Sequence, residues 1–350
     1  LQDGTGFVVA LDDELQLRSL ADPTAPPIRL AGCSSPVDHL ALNDDGDRFA
    51  TVHADGTVRL WTLEAGAAEP LRDWPRIRPS ACNDLRFHPS GDLLVGGDAE
   101  SLAAVLGLTD PPGSDPLLVR PLDGRLVEIG FSPAGDWLVT TCFGGPSVWP
   151  LDRRRQPYIR RGHAGVVEHL AFGPDGRWLV SQGADGTIRQ WPVEGAAGSQ
   201  IRVLHDWGHP TLTPGGWMSL SRDGRLLVTT CNEDAARVVP LDGSPEVSVG
   251  GFDDRVTRAA LGGRGRLVAV PGRSDDGWIV RILDLETGTL RDFDLSEIKN
   301  SKGMFVHLQG TRDGRFLLTG SKGKLYELEP VTGVLTPIAD SVGLFLSLIH

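Results

Sequence analysis

A chain of 350 residues with 40% hydrophobic content can bury a sizeable core, and its 44 glycines and 25 prolines cut the apolar residues into runs of four or five, favouring many short strands over long helices. The net charge of -12 and pI of about 5.2 argue against non-specific attraction to nucleic acid or anionic lipid as the main role. No apolar stretch approaches the roughly 18 residues of a membrane-spanning helix, and four dispersed cysteines at 33, 82, 142 and 231 suggest neither a zinc knuckle nor a disulfide framework.

Reduced thiols fit a cytoplasmic address, and no cofactor or metal is expected. The basic residues are nearly all Arg, with Lys only at 299, 302, 322 and 324, a bias that reads as a GC-rich bacterial genome. The chain starts at Leu1 without a Met, which leaves room for an upstream effector domain.

In chain order, residues 4–31 supply three short strands, Gly6 to Leu11, Leu15 to Leu20 and Ile28 to Leu30. Seven complete units follow, beginning near Val37, Asn83, Leu126, Val166, Trp217, Val256 and Phe305, and Val342 to His350 supplies one last strand. A turn glycine recurs at 4, 46, 91, 135, 176, 224, 265 and 314, and spacing of this size belongs to four-stranded propeller blades. Within a unit the glycine separates two apolar strands, as in Ile129-Gly-Phe131 before Gly135 and Trp137-Leu-Val139 after it. A second turn and third strand follow, seen in Asp55-Gly-Thr-Val-Arg-Leu-Trp61 and Asp185-Gly-Thr-Ile-Arg-Gln-Trp191, then a more polar outer strand such as Pro70-Leu-Arg72, Tyr158-Ile-Arg160 or Ile201-Arg-Val-Leu204. Leu290 to Lys302 reads as a long polar loop with at most one helical turn near Ser296-Glu297.

Gly162-His163, Gly-Pro-Asp-Gly at 173–176, Asp185-Gly-Thr187 and Trp191, with relatives at 87–91, 131–135 and 221–224, resemble WD40 repeats along essentially the whole chain. The resemblance implies an all-β propeller of four-stranded blades forming a single domain over 1–350. Eight blades are favoured, with residues 1–35 forming a partial blade completed by 341–350 and seven repeats between about 36 and 340. A seven-bladed ring with surplus ends is the alternative.

The resemblance also implies a buried structural network of His163, Ser181, Asp185 and Trp191, in which imidazole, hydroxyl, carboxylate and indole satisfy one another. Buried in this way, the Ser-His-Asp set reads as a staple and not as a catalytic triad. The unit of Trp61 carries Thr51 and Asp55 but has Cys33 near the His position, so its network reads as broken. The unit of Trp149 has Gly144-Gly145 in place of Asp-Gly. Trp191 is followed by Pro192, and Trp61 by Thr62, so the second residue of the eponymous pair is missing.

His205-Asp-Trp-Gly-His209 spaces two histidines like a helical metal pair, yet Gly208 and Pro210 argue for a linking loop. Gly262-Gly-Arg-Gly-Arg266 reads as a hairpin turn, with no helix to make it a phosphate loop, and Ser274-Asp-Asp-Gly277 as a solvated turn. Arg153-Arg-Arg155, Tyr158, Arg160 and Arg161 form the densest positive run, read as rim surface, with an anchor for an acidic peptide or phosphate as the functional alternative. Trp74, Arg76, Arg78, Trp207, Asp253, Asp254 and Arg255 fall on loops between blades, and Phe143 and Trp278 on turns. Trp and Arg on loops are the residues that binding hot spots prefer, so these are the partner-contact candidates.

The expected function is a non-catalytic scaffold or sensor for other proteins or peptides, a monomeric ring appended to a larger bacterial signalling protein such as a kinase or STAND-type ATPase. The rival is a propeller hydrolase or lyase with a site at the channel mouth, for which His39, Glu128, His169 and His307 on first strands are the candidates. A small-ligand sensor would instead show a deep aromatic-lined pocket.

Overall fold

The structure is a computed structural model that describes residues 6–11, 14–19, 25–30, 35–63, 70–74, 82–98, 103–111, 114, 117–119, 126, 128–141, 143–151, 157–194, 201–210, 216–231, 233–275, 277–295, 305–311, 313–320 and 324–339. Among them the secondary structure is strand throughout, save one three-residue 3-10 turn, Gly263–Gly265. The chain divides into two compact units, residues 1–176 with 345–350, and residues 177–344.

In the first unit, β1 (Gly6–Leu11), β2 (Glu14–Ser19) and β3 (Ile28–Leu30) form a three-stranded sheet. Three four-stranded sheets follow. They comprise β4 (Val37–Leu42), β5 (Arg48–His53), β6 (Val58–Thr62) and β7 (Arg72–Trp74); β8 (Cys82–Phe87), β9 (Leu93–Asp98), β10 (Ala103–Gly107) and β11 (Leu117–Val119); and β12 (Ile129–Phe131), β13 (Trp137–Thr140), β14 (Ser147–Pro150) and β15 (Tyr158–Ile159). β16 (Val167–Phe172) ends the unit.

The second unit begins with the sheet strands β17 (Trp178–Gly183), β18 (Thr187–Pro192) and β19 (Arg202–Asp206). β20 (Trp217–Leu220), β21 (Leu226–Thr230), β22 (Ala236–Pro240) and β23 (Val247–Val249) form the following sheet. Next come β24 (Ala260–Gly262), β25 (Leu267–Ser274), β26 (Gly277–Asp284) and β27 (Thr289–Asp294), then β28 (Phe305–Gly310), β29 (Phe316–Gly320), β30 (Leu325–Leu328) and β31 (Leu335–Ala339). Every sheet runs in sequence order with antiparallel neighbours, which is the four-stranded blade of a β-propeller.

The ruler glycines carry the turns between first and second strands, with positive φ at Gly46, Gly91, Gly135, Gly176, Gly224, Gly265 and Gly314. A residue without Cβ adopts this conformation at almost no steric cost. Gly186, at φ 78°, shows the second demand made on glycine, because a Cβ there would collide with the carbonyl of His209. That is why Asp-Gly precedes the third strand.

The core is a series of layers between successive sheets. Val8, Leu15 and Leu30 of the first sheet pack on Leu40, Phe49 and Trp61 of the second, with the Phe49 and Trp61 rings stacked 5.6 Å apart. In the second unit, Val228, Ala236, Val238 and Val249 pack on Val268, Val270, Ile279 and Leu283, and Ala269, Val280 and Ile282 on Phe316, Leu318 and Leu328. Each fully buried aliphatic side chain contributes about 1.5–3 kcal/mol.

Leu290 to Asp294 is strand, part of β27, and not the loop the polar sequence implied. The strand is exposed along nearly its whole length, so its polarity is that of an outer edge. Ser296-Glu297, and the closing strand expected over 342–350, lie outside the described residues.

Candidate functional site

Each best-formed blade is fastened by an indole. Trp191 of β18 donates to the buried Ser181 hydroxyl of β17 at 2.7 Å, Trp61 of β6 to Thr51 of β5 at 2.9 Å, and Trp149 of β14 to Thr140 of β13 at 3.2 Å. Asp185 accepts the Thr187 backbone N–H at 3.0 Å and its hydroxyl at 2.8 Å, closing the turn into β18. His163 is buried in the first unit, its backbone N–H donating to the Gly144 carbonyl.

The blade of Trp61 is not broken, as the Cys33 position had implied. His53, two residues beyond Thr51 on β5, lies 3.0 Å from the Thr51 hydroxyl through Nε2 and 2.9 Å from the Ser35 carbonyl through Nδ1. A histidine on the second strand thus extends the hydroxyl–indole link. Burial is the largest cause holding its pKa below the ordinary imidazole value. The resemblance places the histidine before the first strand, so reasoning from it missed His53. Cys33 itself lies outside the described residues.

The first strands of the first unit gather charge. Asp84 of β8 accepts the Ile129 N–H of β12 at 3.0 Å, and Glu128 accepts the Leu170 N–H of β16 at 2.9 Å. Arg86 spans the two acids at 3.3 Å from Asp84 and 3.6 Å from Glu128, and His169 lies 3.7 Å from Glu128. Burial, with Arg86 opposing it, pushes the Asp84 carboxyl up to about 6. Each acid holds a backbone donor of the neighbouring first strand, so the cluster joins blades. His39 is half-buried on β4, and the side chain of His307 is outside the described ones. Among the described residues no group of three or more His, Cys, Asp and Glu could hold a metal ion.

In the second unit the connections after fourth strands meet the turns after second strands. The Val256 N–H donates to the Glu233 carbonyl at 2.6 Å and the Asp253 N–H to the Arg273 carbonyl at 2.8 Å, while His209 lies 3.1 Å from Glu233. Asp253, Asp254, Arg255 and His209 are exposed on this stitched surface. His205 belongs to β19 and lies 2.9 Å from Glu246, so the two histidines face different acids and form no metal pair.

The remaining candidates separate by burial. Phe143 is 51% exposed. Trp207 is half-buried, edge-to-face with His205 at 4.6 Å and 5.6 Å beneath Arg237. Trp74 is a correction: it ends β7, is only 6% exposed, and packs with Val58, Leu60 and Leu85 in the core, with Arg72 above its ring. Trp278 is also a correction, since it lies within β26 and packs on the adjoining core instead of projecting from the turn. Arg160 is buried over the Tyr158 ring at 4.7 Å and is not a solvated rim charge. Arg76, Arg78 and Arg153 to Arg155 lie outside the described residues.

The family description "WD domain, G-beta repeat" matches residues 26–62 and 155–192, the blades of Trp61 and Trp191. Cilia- and flagella-associated protein 57 of Mus musculus is 23% identical over 283 residues, 79% of this chain and 21% of that protein. A chromatin assembly factor 1 subunit of Gallus gallus is 23% identical over 279 residues, 78% of this chain and 39% of that protein. Target of rapamycin complex subunit wat1 of Schizosaccharomyces pombe is 24% identical over 176 residues, 48% of this chain and 54% of that protein. The chain therefore spans well under two thirds of these relatives, all of them eukaryotic, and they lend no support to the bacterial reading of the Arg bias. Two blades of this chain thus match the WD40 repeat, and the recurring hydroxyl–indole links and the run of four-stranded sheets are the architecture of a β-propeller.

Proposed function

We propose that the protein is a non-catalytic scaffold that holds other proteins or peptides on the loop surface described above. The observation carrying this reading is the stitched face of the second unit, where Glu233, Asp253 and Arg273 are tied by backbone hydrogen bonds while Asp253 and Arg255 stay exposed without an ion-pair partner among the described residues. A surface held rigid before contact loses little entropy on binding, and unpaired charges at its rim select partners and set encounter rates. Two of the relatives bear names that make them members of larger complexes, which supports the same role here. Trp207 and Arg255 are the contacts proposed on the second unit and Phe143 the contact proposed on the first, with Ser181, Asp185 and Trp191 a staple of the second unit. This reading takes the chain as a cytoplasmic module.

The enzymatic alternative is weaker, because the acids that converge are engaged by backbone N–H groups and the Thr51–His53 pair is buried from any substrate. The test is affinity capture on the full chain against variants Phe143→Ala and Arg255→Ala. Loss of the same partners from either variant supports the proposal, and unchanged recovery on both overturns the nominated surface.

A further inference from the structure

The turn between β24 and β25 departs from the pattern of its counterparts. Gly46, Gly91, Gly135, Gly176 and Gly224 each turn their hairpin with a single left-handed glycine, at φ between 65° and 77°. Here three successive residues are left-handed, Gly263 at 57°, Arg264 at 61° and Gly265 at 93°, and Arg264 is the one non-glycine residue with positive φ among those described. An arginine in this conformation is sterically disfavoured, and such outliers persist where they serve a function.

Arg264 stands exposed at the lip of a groove of about 530 Å³, floored by Leu267 and Ile282. The volume falls within the range of ligand sites. The acids around the groove are already engaged. Asp284 takes Arg266 at 2.7 Å and the Glu286 N–H at 3.0 Å; Asp313 takes Arg315 at 2.9 Å; Glu329 takes the Thr332 hydroxyl at 2.6 Å and the Val331 N–H at 3.1 Å. The Arg291 guanidinium donates to the Val331 carbonyl at 3.2 Å. Arg264 has no ion-pair or hydrogen-bond partner among the described residues. Val331, which also lines the groove, is 71% exposed. The groove thus presents a guanidinium without a counter-ion among the described residues and an exposed aliphatic side chain.

We infer that this groove is a second docking site, which takes an acidic peptide segment of a partner protein, its carboxylate on Arg264 and an adjoining aliphatic side chain on Val331. The groove is built from turns that follow first and third strands, whereas the surface proposed above is built from turns after second strands and connections after fourth strands. In an antiparallel meander these lie at opposite ends of the sheets, so one scaffold would offer two faces. The inference rests on the scaffold reading.

The test is panning of a phage-displayed library of random peptides, about twelve residues long, on the full chain, followed by affinity measurement of the enriched peptides. Enriched peptides are expected to carry Asp or Glu beside an aliphatic residue, and Arg264→Gln to weaken their binding by about tenfold or more. Arg264→Gly relieves the backbone, and is expected to raise the unfolding midpoint by about 2 °C while still losing the peptides. Free succinate is expected to leave peptide binding unchanged; full competition by succinate would make this a small-anion site and overturn the peptide reading. Peptides insensitive to Arg264→Gln but lost on Arg255→Ala overturn this inference and leave the scaffold reading standing. Failure to enrich any peptide overturns this inference, while the scaffold reading stands or falls with partner capture on Phe143→Ala and Arg255→Ala.

Discussion

The Thr51 hydroxyl lies 3.0 Å from Nε2 of His53, two residues along β5, and both side chains are buried. The Ser35 carbonyl near Nδ1 can only accept, so Nδ1 carries the proton, Nε2 accepts from Thr51, and Thr51 accepts from the Trp61 indole. One neutral tautomer satisfies the whole chain. Because burial lowers the His53 pKa, its stabilising contribution is complete above the unfolded value near 6.5 and is lost as pH falls through the folded value. His53→Gln should flatten the loss of unfolding free energy below about pH 6.5, while costing about 1–2 kcal/mol at pH 7.5. Urea unfolding across pH 5–7.5 measures both. An unchanged slope would remove His53 from the acid response.

Asp84 acts in the opposite sense. Its folded pKa of about 6 lies above the unfolded value near 4, so its relative contribution is present below pH 4 and lost as pH rises through 6. Asp84→Asn should therefore stabilise the protein at pH 7.5, by about 1–3 kcal/mol, and have little effect at pH 4. An amide oxygen can still accept the Ile129 N–H, so the tie between β8 and β12 survives. Destabilisation at pH 7.5 with little effect at pH 4 would show that the charge on Arg86 needs Asp84 more than burial penalises it.

The Ser181–Trp191 bond offers a cycle free of titration. Ser181→Ala leaves a buried indole N–H without its acceptor and should cost about 1–3 kcal/mol. Trp191→Phe removes the donor but also core volume. The double variant should lose less than the sum of the two single losses, because the unsatisfied group is gone. Strict additivity in chemical denaturation would mean that the bond contributes nothing.

The blades were legible because their signal is local. A left-handed turn asks for glycine whatever surrounds it, so Gly46 through Gly314 marked the hairpins directly. Trp74 and Trp278 were not legible, since whether an aromatic near a turn projects or folds back depends on the next sheet. β27 misled for a related reason, because an exposed outer strand needs polar residues and so reads as loop. His53 escaped because it meets the Thr51 hydroxyl from within β5, where the resemblance looks for a histidine before the first strand. Glu128 was visible as a type, but its role in joining blades, like that of Asp84, rests on an N–H group more than forty residues away in sequence.

Burial separates two aromatics that the sequence placed together. Trp74→Ala should cost about 3–5 kcal/mol, since it empties a core site beside Leu60 and Leu85. Phe143→Ala, at 51% exposure, should stay within about 0.5 kcal/mol of wild type and alter only partner binding. Thermal unfolding of the two variants decides this, and similar losses would contradict the assignment of Phe143 to a contact surface.

The central claim is that the stitched loop face holds a partner without chemistry. Hydrogen exchange of the full chain, free and in complex with a captured partner, tests it most directly. Added protection is expected to concentrate over 207–210, 233–235 and 250–256, with the partner recovered covalently unchanged. Protection confined to the Asp84, Glu128 and His169 strands, or a partner returned cleaved or modified, would contradict it.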